Sequence, residues 1–397
     1  MHPSEGIRSA KSTALQGKRI VLGITGSIAA VECFELAREL IRHGAEVRAV
    51  LSPEARKLVT PDAMWFATGH EAIVELDGRT QHVDLLGGYE DHADLLLVAP
   101  CTANTLSKMA LGIDDTPVTT MATVAIGGRI PVLVAPAMHL AMYEHPAVQR
   151  NMAALREMGV ELVGPTIVGK KARVASVGEI VEAVLRRLGP GDLRGTRVLV
   201  IGGASEEPID AVRVVTNRST GETAVRLAEA AYRRGAEVEL WAGRTSVPVP
   251  AHLKLRRFRT VGDLLAMAAE VDHDAVLVPA ALSDYAPRPA EGKIPSGHAG
   301  LDLHLDPLPK VLPALRPRAR VLVGFKAETG VPGDELIKRA RSRLDEHRLD
   351  LIVANDLADV REGATAASLV SADGVGRYEG TKAGLADRVL DEVLKRL

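Results

Sequence analysis

The stretch Lys18-Arg-Ile-Val-Leu-Gly23-Ile-Thr25-Gly26-Ser27-Ile28 is the one on which the fold turns. Residues 18–24 form an apolar run, short enough for a strand buried on both faces. A Thr-Gly-Ser turn follows it. Residues 28–43 then have helical spacing, with Ile28, Val31, Leu36, Leu40 and Ile41 predicted to share one face. Gly44 is placed to end that helix, and Val47-Arg-Ala-Val-Leu51 starts the next strand. The passage therefore reads as strand, turn, helix, strand.

The same plan starts again further on. Arg197-Val-Leu-Val-Ile-Gly202 is a strand, residues 221–234 a helix, Gly235 its stop, and Glu237-Val-Glu-Leu-Trp241 a strand. Both passages carry Gly-Ala-Glu-Val, at 44–47 and 235–238. Further apolar runs begin at Asp94, Ile130, Asp274, Arg320 and Asp350. Strands alternating with helices predict parallel sheets covered on both faces. Ligands of such sheets sit beyond the carboxyl ends of the strands. The Gly- and Pro-bearing segment Leu188-Gly-Pro-Gly-Asp192 precedes the second start. The expected organisation is a flexible polar arm over 1–17, one domain over 18–190 and a second over 191–397.

Composition narrows the function classes. Apolar residues are 46% of the 397 and charged residues 25%, enough for two cores. Aromatics are only 3%, so those cores must be aliphatic and alanine-rich. A formal charge of -2 predicts no strong sequence-independent attraction to nucleic acid, while leaving room for a local anion site. No apolar run is long enough to span a bilayer, and the first 17 residues have no apolar core of a signal peptide. Two cysteines, Cys33 and Cys101, make no disulfide framework and suit a reducing cytoplasm.

The loops after the strands carry the chemistry. Gly23-Ile-Thr-Gly26-Ser27-Ile28 lacks GxGxxG spacing, yet it is a glycine turn opening a helix, where amides and the Ser27 hydroxyl suit a phosphate. The same loop is equally an ordinary tight turn. Ser52 follows the second strand, Pro100-Cys-Thr102-Ala103-Asn104-Thr the third, and Pro136-Ala-Met-His139-Leu-Ala-Met-Tyr143 the fourth. In the second half the corresponding segments are Gly202-Gly-Ala-Ser-Glu-Glu-Pro-Ile-Asp210-Ala-Val-Arg213, Thr216-Asn217-Arg-Ser-Thr-Gly221 and Ala280-Ala-Leu-Ser-Asp284-Tyr, with Lys293 beyond. Taken bare, Asn, Ser and Gly there also cap ordinary helices. Asp284 is a plausible Mg²⁺ ligand, because that ion takes one or two carboxylates plus phosphate oxygens.

Over about residues 18–185 these motifs resemble the flavin-dependent cysteine decarboxylases, most closely the phosphopantothenoylcysteine decarboxylase half of the bifunctional coenzyme A enzymes. Over about 193–397, with Gly324-Phe325-Lys-Ala-Glu-Thr and Ala354-Asn-Asp356, they resemble the phosphopantothenate–cysteine ligase half. The resemblance implies an α/β chain of two Rossmann-like parallel-sheet domains, a flavoprotein-type one and a modified dinucleotide-binding-type one. It implies FMN held by Gly26, Ser27, Ile28 and Ser52 at its phosphate, with Thr102, Ala103 and Asn104 flanking the flavin. His82, in Gln-His-Val-Asp-Leu, resembles the active-site histidine. His139 stands where bacterial members have Asn and is expected to hold the substrate carboxylate. The flap cysteine of those members has no counterpart in Gly169-Lys-Lys-Ala-Arg-Val-Ala-Ser176, a stretch that resembles the archaeal form. The proton donor is left open, with Lys170 and Lys171 candidates by position.

In the ligase half the resemblance implies Asn217 in carboxylate activation, Lys293 in catalysis, and Asp284 on nucleotide and Mg²⁺. Lys293, Phe325, Arg343 and His347 complete the CTP site; the last two replace bacterial lysines. The implied sequence is ligation of cysteine to 4'-phosphopantothenate through an acyl-cytidylate, then redox decarboxylation to 4'-phosphopantetheine. A homo-oligomer of ligase dimers and decarboxylase trimers, up to a dodecamer, is implied too. The competing reading is a working ligase fused to a non-catalytic flavin-binding assembly domain. A flavin prenyltransferase relative would account for the first domain only.

Overall fold

A computed structural model describes residues 2–88, 91–168, 171–295, 300–356 and 364–397. The chain divides into two compact units, Met1–Gly189 and Pro190–Leu397.

The first unit is built on a five-stranded parallel sheet. Its order is Glu46–Leu51, Arg19–Ile24, Leu95–Cys101, Val132–Pro136, Glu161–Leu162. Every residue of Leu95–Cys101 is buried, as expected of a central strand with helices on both faces. Strand residues alternate between two cores. Ile20, Leu22 and Ile24 meet Leu36, Leu40 and Ile41, along with Ile180 and Val184 of helix Val177–Leu188. Val21, Leu96, Val98 and Val134 face Leu106 and Met121 on the other side.

Two sequence-based expectations are corrected here. The helix expected over 28–43 opens as a 3₁₀ turn, Ile28–Glu32, and becomes α-helical only over Cys33–Arg42. With three residues per turn, the 3₁₀ face does not run on into the α-helical one. Leu36, Leu40 and Ile41 are buried, but Ile28 is 74% exposed and Val31 55%. Ala30, Cys33 and Ala37 fill the buried face instead.

Residues 2–17 are not a free arm. A helix leaves its last carbonyls without internal partners, and this segment supplies them. The amides of Ser9, Lys11 and Leu15 donate to Ile41 O (3.1 Å), Arg42 O (2.9 Å) and His43 O (2.8 Å). Leu15 is fully buried in the first core. Gly44, at φ +104°, turns the chain beneath it; a Cβ there would meet Gln16 N at 2.9 Å.

The second unit has an eight-stranded sheet. Its order is Lys254–Arg257, Glu237–Ala242, Arg197–Gly202, His273–Val278, Ala319–Glu328, Leu351–Asp356, Thr365–Ser371, Gly374–Gly380. The first six strands are parallel, and the last two form an antiparallel hairpin. That hairpin escaped the sequence reading. Its Gly374–Gly380 strand, Gly-Val-Gly-Arg-Tyr-Glu-Gly, carries no apolar run. Helix Glu222–Arg233 lies close on the sheet: a Cβ on Gly202 would come within 2.0 Å of Ala224 Cβ. No described helix is long and apolar enough to cross a membrane.

The packed arm is testable. Truncating a fully buried leucine costs about 2–4 kcal/mol, whereas a substitution in a free tail costs less than about 0.5 kcal/mol. Leu15→Ala is expected to shift urea unfolding by the larger amount.

Candidate functional sites

In the first unit the strand order reverses direction between Arg19–Ile24 and Leu95–Cys101. A crevice opens at such a switch point, beyond the carboxyl ends of the strands. The two loops there are stitched by Thr25. Its hydroxyl donates to Pro100 O (2.7 Å) and accepts from Thr102 N (3.0 Å). Thr102 in turn caps helix Ala103–Leu111 through Thr105 N (3.3 Å).

Gly26 sits where any side chain would strike Glu54, whose Cβ is 2.4 Å from the ideal Cβ position. The Ser27 amide is satisfied by Thr25 O (2.8 Å). The amides of Gly26 and Ile28 have no hydrogen bond among the described residues. Ser52, nearly buried, accepts from Ala55 N (3.2 Å), and its amide donates to Ile24 O (3.0 Å). The fold thus lines up Gly26, Ser27, Ile28, Ser52, Thr102, Ala103 and Asn104 at the ends of three neighbouring strands. Asn104 is exposed there and Ala103 buried.

His139 follows the fourth strand, exposed, with Nδ1 accepting from Ala141 N (3.3 Å). Its backbone pairs with Lys171 in a small antiparallel sheet. Lys170 lies outside the described residues. His82 is on helix Gln81–Leu86, which packs on helix Pro117–Gly127. Its Nδ1 is buried without a hydrogen-bond partner among the described residues. A buried polar atom left unpaired is costly and points to a missing partner.

In the second unit a cavity of about 790 Å³ opens beyond the strand ends. Asn217, Asp284, Phe325 and Arg343 line it together. So do Arg218, Lys310, Lys326 and Lys382, giving among the described residues five cations against one carboxylate, Asp284. Lys382 is paired with Glu222 (2.6 Å), Lys326 with Glu328 (2.9 Å) and Lys310 with Asp284. Such a wall favours a polyanion. The described residues contain no group of three His, Cys, Asp or Glu that could hold a metal.

Ser205 stitches this site. Its fully buried hydroxyl accepts from Ser283 N (3.0 Å), and its carbonyl accepts from the Thr216 hydroxyl (2.7 Å). The loops bearing Asp284 and Asn217 are thereby fixed to one residue. Lys293 and His347 are not on the cavity wall. Lys293 is exposed, with its neighbours Gly292 and Ile294 bonded to residues 210 and 211. His347 ends helix Gly333–His347 and is buried. Burial lowers its imidazole pKa, opposed by Glu346 and reinforced by Arg343 and Lys310.

Sequence reasoning assigned no role to Thr25, Ser205 or Lys310. Thr25 and Ser205 stood in the quoted loops, but nothing in a sequence separates a bridging hydroxyl from a capping one. Lys310 reaches Asp284 because Tyr285–Pro287 pairs antiparallel with Leu305–Pro307, a contact between short, partly polar strands that leave no periodic trace.

The family described as "Flavoprotein" matches residues 8–189, and that described as "DNA/pantothenate metabolism flavoprotein C-terminal domain" matches residues 193–397. The coenzyme A biosynthesis bifunctional protein CoaBC of Thermococcus kodakarensis is 46% identical over 406 residues, covering 100% of both chains. That of Methanocaldococcus jannaschii is 36% identical over 403 residues, covering 100% of this chain and 98% of the relative. Among solved structures, the DNA/pantothenate metabolism flavoprotein of Streptococcus pneumoniae aligns with 51% of this chain and 99% of its own, at 26% identity and a TM-score of 0.48.

Both thiols are out of play. Burial pushes the Cys33 thiol up to about 12, with a smaller push from Glu32, and burial raises that of Cys101 as well. The thiolate is the reactive form. At pH 8 the native protein is therefore expected to resist iodoacetamide, and mass spectrometry should find two alkylated cysteines only after unfolding.

Proposed function

The chain belongs to the family of coenzyme A biosynthesis bifunctional proteins CoaBC, enzymes with a decarboxylase half and a ligase half, and we propose that it performs both steps in order. Residues 191–397 join cysteine to 4'-phosphopantothenate with CTP. Residues 18–190 decarboxylate the product to 4'-phosphopantetheine with FMN. The observation that carries the reading is the cationic cavity in which Asn217, Asp284, Phe325 and Arg343 converge.

In the ligase half the carboxylate of 4'-phosphopantothenate attacks the α-phosphorus of CTP, and pyrophosphate leaves. The cysteine amine then displaces CMP from the acyl-cytidylate. Asn217 holds the attacking carboxylate by its amide N–H. The wall cations and Lys293 stabilise charge on the phosphates as it shifts. Phe325 offers a face for the base, and Arg343 a planar donor for phosphate. His347, buried one turn beyond Arg343 on the same helix, supports that end of the site. Mg²⁺ enters with the triphosphate, since one carboxylate, Asp284, makes a Mg²⁺ site only with phosphate oxygens.

In the decarboxylase half the unbonded Gly26 and Ile28 amides and the Ser27 hydroxyl suit a phosphate at the helix start. Ser52 borders them, and Thr102, Ala103 and Asn104 border the ring. FMN, when bound, supplies the two-electron acceptor that lets the carboxylate depart. His82 offers the substrate its Nδ1, unpaired among the described residues, and His139 donates to the substrate carboxylate. The exposed apolar residues Ile28, Val31, Trp65 and Phe66 support assembly with further copies of the chain. Two free cysteines accord with the cytoplasm.

Purified protein supplied with FMN, CTP, Mg²⁺, cysteine and 4'-phosphopantothenate is expected to yield 4'-phosphopantetheine by mass spectrometry. Accumulation of the cysteine adduct alone would favour the inert flavin-domain reading instead. Lys293→Ala should slow adduct formation by roughly 100-fold or more while leaving flavin binding intact. His82→Asn should cut carbon dioxide release by ~100-fold or more with ligation unchanged. CTP and ATP offered in competition decide the nucleotide.

A further inference from the structure

Asp210 carries a fully enclosed carboxylate between two loops. One oxygen accepts from the amides of Val212 (2.7 Å) and Arg213 (2.7 Å). The other accepts from the Arg213 guanidinium (2.5 Å) and, 84 residues along the chain, from the Ile294 amide (3.0 Å). The Arg213 guanidinium also donates to Ile294 O (3.2 Å). Ala211 N donates to Gly292 O (3.1 Å), and Ala290 N to Ile209 O (2.9 Å). Both neighbours of Lys293 are thus tied to the 209–213 turn, and the Lys293 side chain is the exposed element between two anchors.

The same turn leads directly into Val214–Thr216, and that strand into Asn217. One buried carboxylate therefore relates the backbone of Lys293 to the backbone of Asn217. The Arg213 amide leads the donors that hold the carboxyl at about 2, against the opposing effect of burial. A carboxylate lowered in this way keeps its stabilising bonds above the usual carboxylate range and loses them only as pH falls toward 2. The clamp is intact at any pH where the enzyme works.

We propose that Asp210 is a positioning residue of the ligase half, setting Lys293 at a fixed distance from the carboxylate held by Asn217. This rests on the role given above to Lys293. Misplacing a catalytic group by about 1 Å costs on the order of 100-fold in rate, so the clamp acts on turnover and not on the cavity wall.

The test uses the full-length protein and three readings on Asp210→Asn: pyrophosphate release with CTP and 4'-phosphopantothenate, CTP binding by calorimetry, and hydrogen exchange over 290–294. Release should fall roughly 30- to 100-fold. CTP affinity should stay within about threefold, and the Ile294 amide should exchange faster. Placed in a Lys293→Ala background, Asp210→Asn should add little, because residues acting through one another are not additive. A wild-type rate despite faster Ile294 exchange would overturn the inference. So would a rate loss matched by equal losses of CTP affinity and thermal stability, which would make Asp210 a general support of the domain. Asp210→Asn keeps the shape of the side chain, so it serves if Asp210→Ala fails to fold. The underlying reading fails separately: a wild-type rate for Lys293→Ala would remove that lysine from catalysis, whatever Asp210 does.

Discussion

Both sites depend on one constraint. A parallel sheet satisfies its own strands but leaves the loops at their carboxyl ends without ladder partners. Those loops must still be held together if they are to present a surface to a ligand. In each unit one hydroxyl residue does this. Thr25 joins the first strand's loop to the third strand's through Pro100 and Thr102. Ser205 joins its loop to those of Thr216 and Ser283. Each is short, buried and able both to donate and to accept, which suits a gap too narrow for an amide side chain. Asp210 extends the same solution over a greater distance, with a charge in place of a hydroxyl because four donors converge on it.

The strands were legible wherever burial on both faces forces an unbroken apolar run, as at Leu95–Cys101 and Arg197–Gly202. They were illegible where the strand is at an edge and half-exposed. Gly374–Gly380 has alternating burial but too little apolar content to register. Residues 2–17 misled for the opposite reason: they are held by backbone amides, a few polar side chains such as Arg8 and Ser12, and one leucine, and none of these leaves a pattern in composition. The turn at 28–32 followed helical spacing closely enough to be read as α-helix, because three and 3.6 residues per turn differ little over five residues.

The proposed site residues divide along similar lines. Those within a few positions of a strand end, such as Gly26, Ser52, Asn217 and Asp284, could be placed by reading the loops. Arg343 sits on a helix more than a hundred residues from Asn217, and only tertiary packing brings them to one wall. Lys310 is a stronger case, since two short antiparallel strands deliver it to Asp284. Charge partners made by folding back are the least visible feature of a sequence, because nothing local requires them.

The two sites also differ in how they meet negative charge, and the difference fits their proposed ligands. The first offers backbone amides and hydroxyls, fixed by the turn that carries them. Such donors need no rearrangement and give a bound phosphate no reason to leave, which suits a resident cofactor. The second offers lysines already paired with Asp284, Glu222 and Glu328. Those cations must exchange one anion for another, so the net gain on binding is small. A co-substrate that has to depart as pyrophosphate and a nucleoside monophosphate in every turnover is served by that balance, and a tighter grip would slow its release.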